Sequence, residues 1–480
     1  MSPHDTYRSA LEGRYASAAM RAIWSDQRKF SIWRRIWLAL AEAQRELGLD
    51  ISPQQIDELR SHLDDIDFDN AAKHEARLRH DVMAHVHTLG DACPTARPII
   101  HLGATSQDIV CNADLLQMRD SLTLIAGGLA RVIDALARFA EQYRGLPTLG
   151  FTHFQPAQPT TVGRRAAQWA YDFILALEEI EQRITTLRFR GMRGATGTQA
   201  SFLELFKGDA KKVAKLNELV AGKLGWEPGA ACAFALTGQT YPRILDAQVL
   251  NSLAVAAAAA HKCATDIRLL ANRKEIEEPF EKEQVGSSAM AYKRNPMRCE
   301  RACSLARFVM NLPANALDTA ATQWLERTLD DSANRRLILP EGFLALDAVL
   351  QIMHNVASGL VVYEHTIRAN LTAELPFMAS ENLMLAAVTA GGDRQEAHEV
   401  IRHHAQAAAH AVKAEGKPND LLDRLRSEPM FARVDLNAAL DPAAYIGLAP
   451  QQVDGFIAQI VRPIREKYRP QLSERAELRV

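Results

Sequence analysis

The chain has 480 residues, enough for two to four domains of roughly 100–200 residues or for one large elongated bundle. Its 56 Lys and Arg against 58 Asp and Glu leave a formal charge of −2, so no global basic field is available to hold a nucleic-acid backbone. A content of 48% hydrophobic and 24% charged residues excludes a mostly disordered chain, and with only 6% aromatics the core must be filled by aliphatic residues and Ala.

The first residues carry an acid early, at Asp5, and have no apolar stretch of the secretory kind, so export is not indicated. Apolar residues at Leu115, Met118, Leu122, Ile125, Leu129, Val132, Leu136, Phe139 and Tyr143 alternate steps of three and four. That spacing predicts one helix with a continuous apolar seam about 40 Å long, which needs partner helices. Gly127 and Gly128 inside the seam cost about 1 kcal/mol each relative to Ala, and are expected at a close helix crossing. Trp169, Phe173, Leu177, Ile180, Ile184 and Leu187 predict a second long helix, and the Ala-rich residues 251–272 a third that neighbours approach closely.

Strand-like alternation is nearly absent, so the expected class is all-α. Breaks are expected where Pro and Gly cluster, at residues 93–103, 147–159, 191–197, 227–229 and 279–296 and at Pro376. They suggest a helical N-terminal domain over residues 1–106, a central long-helix domain over 107–362 and a smaller helical C-terminal domain over 363–480. The most apolar run, residues 253–260, ends at His261 and Lys262, far short of the roughly 20 residues of a membrane span. The six cysteines, Cys93, Cys111, Cys232, Cys263, Cys299 and Cys303, form no CxxC pair and read as reduced, packed thiols of a cytoplasmic protein.

The segment with the densest chemistry is QVGSSAMAYKRNPM over residues 284–297, which joins a flexible Gly and two hydroxyls to a Lys and an Arg in one loop. By composition alone it would be a solvated connector. It resembles, however, the GSSxMPxKxNP signature of the fumarase/aspartase superfamily, with Ala291 where that family has Pro. The substitution removes a fixed φ and should loosen the loop. HLGATSQD at residues 101–108 and GFTHFQPAQ at 150–158 resemble the family's first and second signature regions, in the same chain order. Within the superfamily the chain is most similar to the adenylosuccinate lyase family. That similarity rests on RHDVMAHVH at residues 79–87, RGMRGATGTQAS at 190–201, AMAYKRNPMR at 289–298 and ERTLDDSANRR at 326–336, and it extends from about Leu11 nearly to the C-terminus.

The resemblance implies three helical domains whose central bundle assembles into a homotetramer, with each active site drawing its signature regions from three subunits. It also implies β-elimination of fumarate from adenylosuccinate, giving AMP, and from SAICAR, giving AICAR, with no metal or organic cofactor. Such a reaction removes a proton beside a carboxylate and protonates the departing nitrogen, so it needs two proton-transfer groups and several cations. By resemblance Ser287 is the base, its alkoxide supported by Lys293 and loop N–H groups, and His153 is the acid. Arg79, His80 and Asp81 line the pocket, with His80 touching substrate and supporting His153. Arg14, Tyr15, Arg301, Arg327, Ser332 and Arg336 hold the phosphate and the succinyl group, and Thr105, Ser106 and Gln239 add polar contacts. Bidentate Arg contacts suit both kinds of anion. Glu300 is placed as a partner for Lys293 or an orienter of His153.

His80, Asp81, His85 and His87 invite a metal reading, but on a continuous helix His80 and His87 would stand two turns apart, about 10 Å. HEVIRH at residues 398–403 has its second His at i+5, not the i+4 of a zincin. GMRGATGT at 191–198 lacks the spacing and the preceding strand of a dinucleotide site; the resemblance makes it a loop near the active site, and a plain turn is equally compatible. Two alternatives stand beside this reading: another fumarate-releasing lyase, such as an argininosuccinate lyase, against which the residue 327–336 string and the YKRNPMR form of the loop speak, and a non-catalytic helical scaffold, against which the retention of Ser287 and His153 speaks.

Overall fold

The computed structural model describes residues 5–227, 232–436, 440–474 and 478. The break expected at 227–229 falls largely outside the described residues. A first group of helices comprises α1 (Ala18–Ile23), α2 (Asp26–Glu46), α3 (Pro53–Ser61), α4 (Phe68–Leu78) and α5 (Asp81–Ala92). The central elements follow: α6 (Ser106–Gln142), β1 (Pro147–Thr152), β2 (Gln155–Thr161), α7 (Val162–Thr186), α8 (Ala200–Leu205) and α9 (Ala210–Lys223). Next come α10 (Ile244–Asn272), β3 (Ile276–Glu277), α11 (Met297–Ala321), α12 (Asp331–Ser358) and β4 (Val361–Val362). The remaining helices are α13 (Glu364–Met378), α14 (Ser380–Thr389), α15 (Arg394–Glu415), α16 (Leu421–Arg426), α17 (Ala449–Phe456) and α18 (Arg462–Lys467).

The predicted seam from Leu115 to Phe139 is the buried face of α6, a single helix of 37 residues, and Tyr143, its last expected member, is the half-buried C-cap. Its start is set by a capping box, in which the Thr105 side chain meets the backbone of Asp108 and the Asp108 carboxylate accepts the Thr105 N–H at 2.8 Å. α6 packs on α7 and α12, and α10 packs on α7, α11 and α12, so the long helices form one bundle. A Cβ on Gly128 would lie 3.1 Å from Leu350 Cδ1 of α12, and one on Gly127 would lie 3.2 Å from Gln471 Cγ near the C-terminus. The glycine pair therefore sits at a close crossing, as expected.

The break expected at residues 147–159 does separate α6 from α7, and within it the chain forms the antiparallel hairpin β1–β2, pairing Pro147 with Thr161 and Thr152 with Gln155. Among the described residues both strands are edges, so Pro147, Pro156 and Pro159 forfeit no ladder bond to a further strand, and proline is tolerated. In addition, α10 and α12 are each long and apolar enough to cross a membrane, although no single run suggested it. More than half of each apolar window is buried within the protein, because these helices form the centre of the bundle.

Buried apolar residues separate into two clusters. The larger runs from Leu11 through the bundle and includes Val453, Ile457, Val461 and Tyr468, where the chain returns to pack against α6 and α7. The smaller is confined to the region from Phe377 to Tyr445. All six cysteines are buried and unpaired, and burial raises the Cys93 thiol to about 11.

Candidate active site

The N-termini of α5, α6 and α12 open on one cleft of about 950 Å³. Arg79, His80, Asp81, Thr105, Ser106, Gln239, Arg327, Ser332 and Arg336 all line it, so the structure brings these expected residues together. Arg79 turns the chain between α4 and α5 with φ 54°, a left-handed conformation uncommon for a residue with a side chain. His80 then caps α5: its Nδ1 accepts the Met83 N–H at 3.5 Å, while its Nε2 lies 3.2 Å from Ser106 Oγ at the start of α6. Burial works against the Asp81 carboxylate, but the Val82 N–H at 2.8 Å and the Arg336 guanidinium at 2.7 Å together hold it below the usual range. Three helix N-termini and three guanidinium groups make the cleft attractive to anions.

The signature loop lies elsewhere. Ser287 Oγ accepts from the Ala289 N–H at 3.3 Å and from the Met290 N–H at 3.1 Å. The loop folds on itself: Asn295 Nδ2 donates to Gly286 O at 2.8 Å, and a Cβ on Gly286 would lie 2.3 Å from Lys293 O, so only Gly fits there. Ala291 is an exposed turn residue, and Lys293 is exposed as well. The loop is anchored where α11 begins, because the Glu278 carboxylate accepts the N–H groups of Arg298 and Cys299. No ion pair links Glu300 to Lys293 or His153 among the described residues. Arg14 and Arg301 each stand 5.9 Å from the centre of the Tyr15 ring, so this expected trio is one cluster at the N-terminal side of α11.

His153 occupies the tip of the β1–β2 hairpin and is exposed. His153 and Phe154 form a two-residue turn with φ 53° and 57°, a geometry normally given to Asn-Gly. Holding two non-glycine residues there costs on the order of 1 kcal/mol each, the kind of local strain that collects at functional sites. Ser287, Lys293, Glu300, Arg14, Tyr15, Arg301 and His153 do not line the cleft of the same chain.

The family model described as "Lyase" matches residues 14–311, and "Adenylosuccinate lyase C-terminus" matches residues 376–456. Adenylosuccinate lyases of Schizosaccharomyces pombe and Saccharomyces cerevisiae are each 48% identical over 99% of this chain and 98% of their own length. The chain belongs to the adenylosuccinate lyase family. Its fold agrees: a fumarate lyase from Mesorhizobium sp. BNC1 superposes with TM-score 0.77 at 26% identity, covering 95% of this chain and all of the other. The 3-carboxy-cis,cis-muconate lactonizing enzyme of Pseudomonas putida gives 0.81 at 24% identity, over 96% of this chain.

Sequence reasoning missed the buried charges on which this adenylosuccinate lyase family cleft rests. Asp108 accepts the backbone N–H of Arg193 at 2.7 Å and of Gly194 at 3.2 Å, and pairs with Arg190. Arg190 also donates to the carbonyls of Gly194 and Gly238. The Gly-rich loop is thereby placed behind Gln239, whose Nε2 donates to Ala195 O at 2.9 Å and whose Oε1 accepts from Arg327 at 3.1 Å. Below, Arg243 pairs with Asp331 at 2.7 Å, and Arg335 pairs with Asp246 at 2.7 Å and Asp114 at 3.0 Å. Only the capping role of Asp108, three residues after Thr105, had a local signal. His80 is the N-cap of α5 and not part of its helical face, so the two-turn spacing expected between His80 and His87 does not apply. His85 is buried, its ring 3.7 Å from that of Phe30, whereas His87 stacks on His74 at 5.3 Å.

Proposed function

We propose that this chain is an adenylosuccinate lyase that releases fumarate from adenylosuccinate and from SAICAR, with Ser287 as base and His153 as acid. Ser287 takes the proton from the carbon next to a succinyl carboxylate. The resulting carbanion is stabilised as its aci-carboxylate, the C–N electrons pass to nitrogen as the C=C bond forms, and His153 protonates that nitrogen. Arg79, Arg327 and Arg336, with the α5, α6 and α12 N-termini, neutralise the carboxylates and phosphate in the cleft. Ser332, Gln239, Thr105, Ser106 and Asp81 orient the polar groups, and His80 contacts the substrate. Lys293 supports the alkoxide electrostatically, Glu300 orients this machinery, and Arg14, Tyr15 and Arg301 complete the anion contacts.

The observation that carries this reading is the pair of loop N–H groups aimed at Ser287 Oγ, an arrangement that stabilises developing negative charge on that oxygen. Because the cleft, the signature loop and the hairpin tip do not converge within one chain, a complete site draws them from different copies in a homotetramer. Exposed apolar residues on the bundle, including Tyr171, Leu175, Val255, Leu269, Phe308 and Leu317, suit such an assembly. The buried, unpaired cysteines favour a cytoplasmic location. The test is fumarate release from adenylosuccinate and from argininosuccinate, assayed in parallel. Turnover of the first and not the second is expected; no fumarate from adenylosuccinate would overturn the reading. Ser287→Ala and His153→Ala should each remove all but a slow residual turnover without changing the assembly.

A further inference from the structure

Among the described residues the β1–β2 hairpin has no third strand to fix its tip, and such ribbons are weakly determined on their own. Its ladder shifts between Leu149 and Phe151, leaving Gly150 at a bulge where a Cβ would lie 2.4 Å from Gln158 O. Bulges re-aim what lies beyond them. Past this one only the pairs Phe151–Pro156 and Thr152–Gln155 remain, and Pro156 has no N–H to donate.

Contacts from the bundle make up the deficit. Arg165 of α7 donates to Leu149 O at 2.5 Å, just before the bulge. Just beyond it, the Arg273 guanidinium lies 4.7 Å from the centre of the Phe151 ring, which in turn stands 5.9 Å from the Phe154 ring beside His153. Arg273 is itself held: its Nε donates to the buried Glu275 carboxylate at 3.0 Å, and Asn370 donates to the same oxygen at 2.9 Å. Beneath the tip lies a cavity of about 300 Å³ lined in part by Phe151, Phe154, Arg165 and Arg273, so the ring has space to shift if its partner is lost.

We infer that Phe151 and Arg273 are positioning residues for His153, fixing the direction of the hairpin tip through a cation–π contact. The inference rests on His153 being the acid. Misplacing a reacting group by about 1 Å costs up to about a hundredfold in rate, so Phe151→Leu should lower kcat roughly tenfold to a hundredfold. KM should change little, because the cleft residues are untouched. Phe151→Leu keeps the Arg273–Glu275 pair and so guards against a trivial folding defect, which the melting temperature checks. Arg273→Ala should act in the same direction, and Arg273→Lys should recover much of the loss. In a His153→Ala background, Phe151→Leu should reduce the slow residual turnover no further. Normal kcat in Phe151→Leu, a rise in KM alone, or an undiminished effect in the His153→Ala background would overturn the positioning role while leaving the acid assignment standing. Full turnover by His153→Ala alone would instead overturn the acid assignment and this inference with it.

Discussion

Asp108 and Arg190, 82 residues apart in the sequence, form an ion pair in which neither side chain has exposed surface. The pair joins the N-terminus of α6, with Thr105 and Ser106, to the loop that carries Gln239's partner Ala195. Removing one charge strands the other in a medium that cannot solvate it. Asp108→Asn or Arg190→Met should therefore destabilise the protein by about 3–5 kcal/mol, read as a fall in melting temperature. A double replacement that lowers stability as much as the two single changes added together would show that the two charges act independently.

Gly197 has φ 86°, and a Cβ there would lie 1.9 Å from Thr237 O. The clash is with backbone, so no rotamer relieves it. Gly197→Ala should cost about 3 kcal/mol or more and raise KM, because the displaced segment runs into Gln239. Thermal melting and initial-rate kinetics check both, and an unchanged KM in folded protein would disconnect the loop from the cleft.

His80 ties the caps of two helices together through Ser106. Ser106→Ala should leave the fold intact, costing about 1 kcal/mol or less, while lowering kcat/KM severalfold through the freed imidazole. His80→Ala, which also removes the proposed substrate contact, should lower kcat/KM roughly a hundredfold. Equal kinetics for both variants would argue against a direct role for His80.

Burial lowers three histidines, His85, His101 and His354, to about 4. The geometry fits a neutral ring at His101, whose Nδ1 accepts the Trp37 Nε1 proton at 3.1 Å. An imidazole kept neutral in the fold binds a proton more readily once unfolded. Its contribution is thus fully present above about pH 6.5 and is lost as pH falls toward 4. Between pH 7 and 5 each should remove about 2 kcal/mol. Unfolding midpoints at the two pH values measure the loss, and His85→Phe should shrink it by about one histidine's share.

If Ser287 and His153 reach a common site from different subunits, mixing Ser287→Ala protein with His153→Ala protein should restore activity. Random exchange in equal amounts leaves about a quarter of the sites with both groups. Two inactive variants that stay inactive after reassembly would place both residues in one chain's site.

What the sequence alone determined is what repeats or acts locally. The three-four spacing from Leu115 to Phe139 specifies a buried helix face whatever surrounds it. The signature strings marked the family and the candidate residues. Tertiary structure decided everything that depends on who faces whom. Proline content obscured the β1–β2 hairpin because the tolerance of Pro156 comes from its edge position, a property of the sheet and not of the segment. The ion pair between Asp108 and Arg190 left no local trace, since distant charges carry no periodicity and only burial makes them matter. The same holds for the cleft: Arg79, Gln239 and Arg336 are remote in sequence, and the meeting of three helix ends gathers them around one anion-attracting space.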